Sequence, residues 1–330
     1  MRQGEVVGDR FEVERLAARG GMGAVYRARD RLTGAPIALK RLSGDHSLTA
    51  RFEREARVLA DLSHPGIVRY VAHGAMADGG PWLAMEWLDG EDLSARLARG
   101  PLAVSDAVGL VERVASALGA AHAASVVHRD VKPSNIFLPG GDLARPILVD
   151  FGVARRLDAR STRTGQLLGT PAYMAPEQVR GSRDIGFGAD VFSLGCVLFE
   201  CLTGRPPFDG EHALAILGKV LLEEPPRLLS ICPTAPRAID DLVARMLAKA
   251  PEDRPADGHG TAQEIARIGA LLTNDALAAT IAGSVGPTAG NARGLGYGEQ
   301  QVVSVVIALL APTTEIGAAP TWTPADRESP

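Results

Sequence analysis

The segment H-R-D-V-K-P-S-N at residues 128–135, followed by D-F-G at residues 150–152, constrains this chain more than any other feature. It supplies two carboxylates, one ammonium and one amide, on Asp130, Asp150, Lys132 and Asn135. Phosphoryl transfer uses such a set, namely a proton acceptor, a mobile cation and oxygen ligands for magnesium. The spacing therefore predicts a fold in which these four side chains line one cleft.

Lysine usage points in the same direction. Arginine carries nearly all of the positive charge, because the chain has only four lysines, Lys40, Lys132, Lys219 and Lys249. Two of them, Lys40 and Lys132, fall where phosphoryl transfer needs a compact ammonium instead of a planar guanidinium. This pattern supports the same hypothesis.

Length, charge and cysteine content narrow the class of protein. A chain of 330 residues suits one two-lobed domain with a tail, or two domains. The net charge of −4 argues against a nucleic-acid-binding surface, which needs a basic excess. Three cysteines without metal-ligand spacing and a polar start of the chain predict a reduced, cytoplasmic protein. The apolar run at residues 302–311 is too short to span a bilayer as a helix.

Short strands are predicted in the first part of the chain and helices in the rest. Strand patterns occur near residues 11–16, 25–26, 37–40, 67–72 and 82–86, with one helical pattern at 48–62. Longer helical patterns follow at residues 104–124, 190–202, 213–222, 237–248 and 260–272. We therefore expect an α+β domain over residues 1–272, with a small strand-rich N-lobe (about 9–88) and a larger helical C-lobe (about 89–272).

After residue 272 the composition shifts towards alanine, glycine, threonine and proline. We interpret residues 273–330 as a linker or tail. Within it, residues 299–309 are strand-like. Two interpretations of this strand stay open: the start of a truncated further domain, or a strand that packs back on the preceding domain.

A glycine cluster joins the first two predicted strands. Gly20, Gly21 and Gly23 would let backbone N–H groups approach phosphate oxygens closely. Such a hairpin alone is as often structural as functional. Lys40 follows at the end of an Ala-Leu-Lys strand, and this order of loop and lysine is typical of a nucleotide site.

Taken in order, these motifs resemble the Hanks-type (eukaryotic-like) serine/threonine protein kinases of bacteria. The resemblance covers about residues 9–272 and includes an A-P-E stretch at residues 175–177. The sequence motifs Gly-Gly-Met-Gly and Met-Ala-Pro-Glu-Gln are also similar to those of the bacterial group. One departure is Ala18, which stands where the first loop glycine of the family is expected. The resemblance implies the bilobal protein-kinase fold, ATP with Mg²⁺ (or Mn²⁺), and transfer of the γ-phosphoryl group to serine or threonine of protein substrates.

The resemblance also assigns roles to the polar segment. Asp130 would orient the substrate hydroxyl or accept its proton, and Lys132 would neutralise charge that develops on the γ-phosphate. Asn135 and Asp150 would ligate magnesium through oxygen atoms. A cap or turn role could explain each residue singly, but it explains the whole set poorly.

The nucleotide contacts implied by the resemblance lie mainly in the N-lobe. Lys40 would hold the α- and β-phosphates, with Glu55 rather than Glu53 as its partner on the predicted helix. The remaining contacts would come from the glycine loop (Ala18, Gly20, Gly21, Gly23), from apolar residues around adenine (Leu16, Val25, Ala38, Met85, Phe137) and from the hinge backbone at Glu86 and Leu88. Asp92 would either accept from the ribose or cap the following helix.

A polar stretch between D-F-G and A-P-E resembles an activation segment. We hypothesise that autophosphorylation at Thr162 or Thr164 activates the protein. A phosphothreonine could accept charge-assisted hydrogen bonds from Arg129 and Arg155. The alternative is an exposed polar loop without modification.

Four residues of the predicted C-lobe have further implied roles. Thr170, near the A-P-E stretch, would hydrogen-bond the catalytic aspartate and lysine and so favour hydroxyl substrates. Glu177 and Arg254 resemble the structural ion pair of the family. Asp190 is expected to brace the backbone of the catalytic loop.

Two other functions share parts of this pattern. A pseudokinase that binds nucleotide as a scaffold would be indicated by loss of a residue from one polar set, yet every member is present (Lys40, Asp130, Asn135, Asp150). A small-molecule kinase would lack the segment that contains Thr170 and Glu177.

A homodimer through the N-lobe is an expectation from family analogy alone.

Overall fold

The computed structural model describes residues 1–20, 23–42, 56, 59–76, 78–151 and 170–284, with side chains up to residue 271. The chain divides into two compact units, Met1–Ser284 and Val285–Pro330. The second unit lies outside the described residues. Among the helices of the described ranges, none combines the length and apolar character that a membrane crossing needs.

Six antiparallel strands form the sheet of the N-lobe. They are β1 (Val6–Val7), β2 (Phe11–Gly20), β3 (Gly23–Asp30), β4 (Pro36–Leu42), β5 (Tyr70–Ala75) and β6 (Pro81–Glu86), in the order β1-β2-β3-β4-β6-β5. One face of the sheet buries a cluster around Phe11, Leu39 and Trp82, because alternate side chains of a strand point to the same side. The helix predicted at residues 48–62 falls largely outside the described residues; residues 56, 59 and 60 of it are helical.

Helices dominate the C-lobe. They are α1 (Leu93–Leu97), α2 (Val104–Ala123), α3 (Pro176–Val179), α4 (Gly188–Thr203), α5 (Ala213–Leu222), α6 (Arg237–Met246) and α7 (Gly258–Ser284). The core of the lobe lies around α4, which is almost entirely buried and packs against α2 and α6. Three short strands, β7 (Gly90–Asp92), β8 (Ile136–Pro139) and β9 (Ile147–Leu148), form a second sheet beside the catalytic segment.

The α+β fold with two lobes is confirmed, and two details differ from the prediction. The last helix continues to Ser284 instead of ending near residue 272. Residues 273–282 contain neither glycine nor proline, so no local signal stops the helix there. The second sheet was missed because its strands have only two to four residues, too few to show a period.

Candidate active site

The polar segment at residues 128–135 forms a loop between α2 and β8 that gathers three functional side chains. Lys132 Nζ lies 2.9 Å from Asp130 Oδ2. Asn135 Nδ2 donates to the same oxygen at 3.0 Å and to the Asp130 carbonyl at 2.8 Å. Pro133 begins a single 3-10 turn (Pro133–Asn135) that directs Asn135 back towards Asp130. The loop therefore brings the predicted base, cation and amide together.

Asp190, in the first turn of α4, holds this loop in place. Its carboxylate accepts the backbone N–H groups of His128 and Arg129, both at 2.7 Å. Arg129 has a φ of 67°, a left-handed conformation that costs a non-glycine residue about 1–2 kcal/mol. Gln178 Nε2 donates to the Arg129 carbonyl at 3.0 Å from the other side. The predicted bracing role of Asp190 is confirmed, and it stabilises a strained backbone.

Hydrogen bonds and a ring contact join the D-F-G segment to the loop at residues 128–135. The Val149 N–H donates to the Asn135 carbonyl at 3.0 Å, and His128 Nε2 donates to the Val149 carbonyl at 3.1 Å. The ring centroids of His128 and Phe151 are 4.5 Å apart. Asp150 lies between Val149 and Phe151 in the sequence. Because both contact the loop at residues 128–135, they set the position of Asp150 relative to that loop.

His128 is buried next to Asp130 in its neutral form. Its Nδ1 accepts the Asp130 N–H at 3.3 Å, which leaves the ring proton on Nε2 for the Val149 carbonyl. Burial lowers the pKa of His128 below its ordinary value of 6.5, although the carboxylates of Asp190, Asp130 and Asp150 oppose this shift. The folded protein therefore keeps this imidazole uncharged at pH values where a free histidine is protonated.

A pH dependence of stability follows from this shift. Below about pH 6.5 the unfolded chain binds a proton at His128 that the folded chain does not, so we expect the free energy of unfolding to fall as the pH decreases through this range. An NMR titration of the histidine ring signals checks the cause directly. The His128 signal should titrate below pH 6.5; a midpoint at or above 6.5 would contradict the argument.

Lys40 and Asp150 meet across the cleft. Lys40 Nζ lies 2.8 Å from Asp150 Oδ1, and the lysine side chain is only 9% exposed. The register of the sheet holds Lys40 between Val25 on β3 and Leu83 on β6. Glu55, the predicted partner of Lys40, lies outside the described residues.

The residues predicted around adenine lie mostly on one face of the N-lobe sheet. Val25 is opposite Lys40, and Ala38 is opposite Met85. Because side chains alternate along strands, these four project from the same face. Leu16 on β2 is exposed, as expected for a residue at the mouth of a cleft.

The glycine loop lies at the ends of β2 and β3. Ala18 and Gly20 belong to β2 and Gly23 begins β3, whereas Gly21 lies outside the described residues. Gly23 has a φ of 139°, and a Cβ there would lie 2.0 Å from the Arg41 carbonyl oxygen. Only glycine fits at this position, whereas Ala18 has no positive φ and stands at a register shift of the β2–β3 pair.

The hinge runs from Glu86 through Leu88 to β7, and both residues are half-buried. Phe137 on β8 is opposite Asp92 on β7. Asp92 Oδ1 accepts the Ala95 N–H at 2.8 Å and caps α1. Its capping role is thus observed, and its contact with a ribose stays a prediction.

Trp87 in the hinge was missed from the sequence. The guanidinium carbons of Arg15 and Arg27 each lie 5.6 Å from its ring centroid, and its Nε1 donates to Asp89 Oδ1 at 2.8 Å. Arg15 and Arg27 are opposite each other on β2 and β3, the strands that carry the glycine loop. The ring attracts both cations and offsets the repulsion between like charges in register. Trp87 therefore connects the hinge to these strands.

We expect Trp87→Ala to raise the Kd for ATP about 5- to 30-fold, because it removes two cation–π contacts of about 0.5–1 kcal/mol each that hold the strands of the glycine loop against the hinge. Trp87→Phe should keep most of the affinity, since it retains an aromatic face. Arg31→Ala is the control, because the exposed Arg31 directly follows β3, whereas Arg29 shares Glu14 with Arg27. Fluorescence titration with a labelled ATP analogue measures the effect; an unchanged Kd for Trp87→Ala would contradict this role.

The predicted regulatory residues are only partly described. Thr162, Thr164 and Arg155 lie outside the described residues. Thr170 is exposed at the start of the 3-10 turn Pro171–Tyr173. In the described part of the chain, its side chain makes no hydrogen bond to Asp130 or Lys132. Its expected contact with them stays a prediction.

A buried ion pair supports the end of the activation segment. Arg254 Nη1 and Nη2 donate to the two carboxylate oxygens of Glu177 at 2.7 and 2.9 Å. The same guanidinium donates to the carbonyls of Gly188, Ala248 and Lys249 at 2.8, 2.8 and 3.0 Å. The Arg254 side chain is 0% exposed. The predicted ion pair is confirmed.

The chemistry of the two predicted metal ligands suits magnesium. The amide nitrogen of Asn135 is committed to Asp130, so its oxygen is the atom that can bind a cation. Asp150 adds a carboxylate beside the Lys40 ammonium. Amide and carboxylate oxygens are hard donors, which Mg²⁺ prefers.

Comparison with known proteins identifies the family. Residues 11–267 match the protein kinase domain family, and the chain therefore belongs to it. The chain is 43% identical over 250 residues to serine/threonine-protein kinase PknE of Mycobacterium tuberculosis (74% of this chain, 43% of that protein). It is 36% identical over 281 residues to serine/threonine-protein kinase pkn3 of Myxococcus xanthus (80% of this chain, 51% of that protein). The chain thus spans about half the length of these curated relatives, and the resemblance to bacterial Hanks-type kinases is confirmed.

A solved structure supports the fold independently. The crystal structure of Rad53 1–466 in complex with AMP-PNP superposes with a TM-score of 0.65 and 24% sequence identity, covering 77% of this chain and 64% of that chain. This similarity confirms the bilobal protein-kinase fold.

Proposed function

We propose that this chain is the catalytic part of an ATP-dependent serine/threonine protein kinase, which transfers the γ-phosphoryl group of ATP to serine or threonine hydroxyls of protein substrates. One observation carries the proposal. The backbone N–H of Val149, next to Asp150, donates to the carbonyl of Asn135, and this hydrogen bond joins the Lys40–Asp150 ion pair to the cluster of Asp130, Lys132 and Asn135. The names of the bacterial relatives support the same substrate class.

Each residue then has a role set by its surroundings. Asp130, held by Lys132 and Asn135, orients the acceptor hydroxyl and accepts its proton. Lys132 lies where charge develops on the transferred group and stabilises it. Lys40 anchors the α- and β-phosphates. Asn135 and Asp150 would hold Mg²⁺ (Mn²⁺ is the alternative), which when bound neutralises phosphate charge.

A binding assay combined with a transfer assay tests this function against the pseudokinase alternative. We expect ATP to bind more tightly with Mg²⁺ than without it, and label from [γ-³²P]ATP to appear on a generic protein substrate. Magnesium-dependent binding without any transfer would instead support a nucleotide-binding scaffold. Transfer to a small molecule only would support the small-molecule kinase.

Activation by autophosphorylation at Thr162 or Thr164 is part of the proposal. Arg129, next to the catalytic aspartate, and Arg155 would bind the phosphate, because guanidinium groups form charge-assisted bonds with phosphate oxygens. Mass spectrometry of active protein should find at least one of the two threonines phosphorylated. If both were unmodified in fully active protein, this switch would be wrong.

We further propose that the protein acts in a reducing, cytoplasmic environment. Cys196, Cys201 and Cys232 are all free thiols, and burial raises the pKa of Cys196 and Cys201.

The kinase domain would end within α7, with the residues beyond it forming a linker or tail. A homodimer rests on family analogy, and sedimentation equilibrium of the purified chain tests it.

A further inference from the structure

A cavity in the C-lobe shares no lining residue with the proposed active site. It has a volume of about 160 Å³ and is bounded by the end of α4, the loop at residues 205–209, α5 and the segment that follows α5. Three prolines, Pro206, Pro207 and Pro226, form much of its wall. Because proline fixes φ, this wall is stiff, and a stiff wall reduces the entropy lost when a ligand binds.

The polar lining of this cavity carries a net positive charge. Arg205 and Lys219 supply two cations, and Asp209 supplies one anion. Asp209 Oδ1 already accepts the Gly210 N–H at 2.8 Å in a local turn. Within the described residues, no carboxylate forms an ion pair with Arg205 or Lys219. The cavity therefore offers two cations and a net charge of +1.

Lys219 stands out among the few lysines of the chain. Two of the four belong to the proposed nucleotide site. Lys249 has a structural role, since its Nζ donates to the Val220 carbonyl at 2.9 Å and lies 4.2 Å from the Phe208 ring centroid. Lys219 is the remaining lysine, and it lines the cavity.

The helix α5, which contributes Lys219 to the cavity, also carries an exposed apolar stripe. Leu214 and Leu222 are 69% and 85% exposed, and Gly218 lies between them at the intervening helical turn. Lys219 lies about 60° around the helix from Leu222. On another side, α5 packs against the Pro171–Tyr173 turn and against α3, the segment in which a substrate is expected to lie. A partner bound to α5 would therefore be close to that segment.

We propose that the cavity and the stripe form a docking subsite for an acidic segment of the protein substrate. A carboxylate side chain of that segment enters the cavity between Arg205 and Lys219, and an apolar neighbour packs on Leu214 and Leu222. The net charge of +1 matches one carboxylate, whereas a phosphorylated residue carries about −1.5 to −2. This proposal rests on the proposed function, since it assumes a protein substrate.

Fluorescence anisotropy with the full chain tests the subsite without requiring turnover. The probes are a labelled peptide of leucine and glutamate, the same peptide with glutamine for glutamate, and one with phosphoserine for glutamate. We expect the glutamate peptide to bind most tightly. Lys219→Gln and Arg205→Gln should each weaken its binding about two- to fivefold, as expected for a partly exposed ion pair. Lys219→Arg should retain binding, and so should the control Arg145→Gln on an exposed turn elsewhere in the lobe.

Three results would overturn the proposal. They are equal affinity for the glutamate and glutamine peptides, an unchanged affinity in Lys219→Gln, and tightest binding of the phosphoserine peptide, which would indicate a phosphate site. A kinetic comparison completes the test. An acceptor peptide with an acidic extension should have a higher kcat/KM than the bare acceptor, and Lys219→Gln should remove this advantage while the bare acceptor reacts as before. If neither acceptor were phosphorylated, the proposed function would fail, while the anisotropy result would still decide on the subsite.

Discussion

Replacing Asp130 with asparagine is expected to lower kcat about 10²- to 10⁴-fold while the Kd for ATP changes little. Asparagine has nearly the same shape and keeps an oxygen that can accept from Lys132 and Asn135, so the loop should stay folded. It loses the negative charge and the ability to accept the proton of the acceptor hydroxyl. Single-turnover transfer of labelled phosphate measures the chemical step, and titration with an ATP analogue measures binding.

Ser134→Ala is the matched control for this experiment. Ser134 lies in the same loop but is exposed, and we expect its replacement to leave kcat within about twofold of the wild-type value. If Asp130→Asn and Ser134→Ala had similar rates, Asp130 would have no part in the mechanism. A large loss of ATP affinity in Asp130→Asn would indicate a misfolded loop instead of lost chemistry.

Replacing Arg254 with methionine is expected to lower the free energy of unfolding by about 3–5 kcal/mol. The substitution leaves the buried carboxylate of Glu177 without its partner and removes the donor from three backbone carbonyls. Methionine fills a similar volume, so the loss reflects the missing charge and hydrogen bonds more than a cavity. Urea denaturation followed by circular dichroism measures the change.

Arg245→Met provides the comparison for Arg254→Met. Arg245 pairs with Glu264, but these side chains are 49% and 27% exposed, so the loss should be only about 0–1 kcal/mol. Adding Glu177→Gln to Arg254→Met should recover part of the stability, because the uncompensated charge is removed. Equal losses for the two arginine variants would show that burial of the Glu177–Arg254 pair has no special effect.

The catalytic loop was predictable because its chemistry is contiguous in sequence. Asp130, Lys132 and Asn135 lie within six residues, and one turn is enough to bring them together. That Lys40 and Asp150 share one cleft required the order of motifs as well, since these residues come from different lobes. Their direct ion pair was not predicted, because Glu55 was expected as the partner of Lys40. Asp190 was predictable only through the family resemblance, because a carboxylate in the first turn of an apolar helix resembles an ordinary helix-terminal residue.

Features that depend on strand register or on distant loops were not predictable. The contacts of Trp87 arise because Arg15 and Arg27 are opposite each other across a bulged strand pair, which no local pattern encodes. The C-lobe cavity combines Arg205 with Lys219 from separate segments. Its only signal in the sequence was the scarcity of lysine, which drew attention to Lys219 without indicating its surroundings.

The most direct test of the central claim is a double-variant analysis of label transfer from [γ-³²P]ATP to a generic protein substrate. If Lys40, Asp130, Asn135 and Asp150 form one site, wild-type protein should produce phosphoserine or phosphothreonine. Lys40→Met and Asp150→Asn should each lower the rate by orders of magnitude, and the double variant should be little worse than either alone, because residues that act as a unit are not additive. Wild-type rates in either single variant, or fully additive losses in the double variant, would contradict the existence of a single shared site.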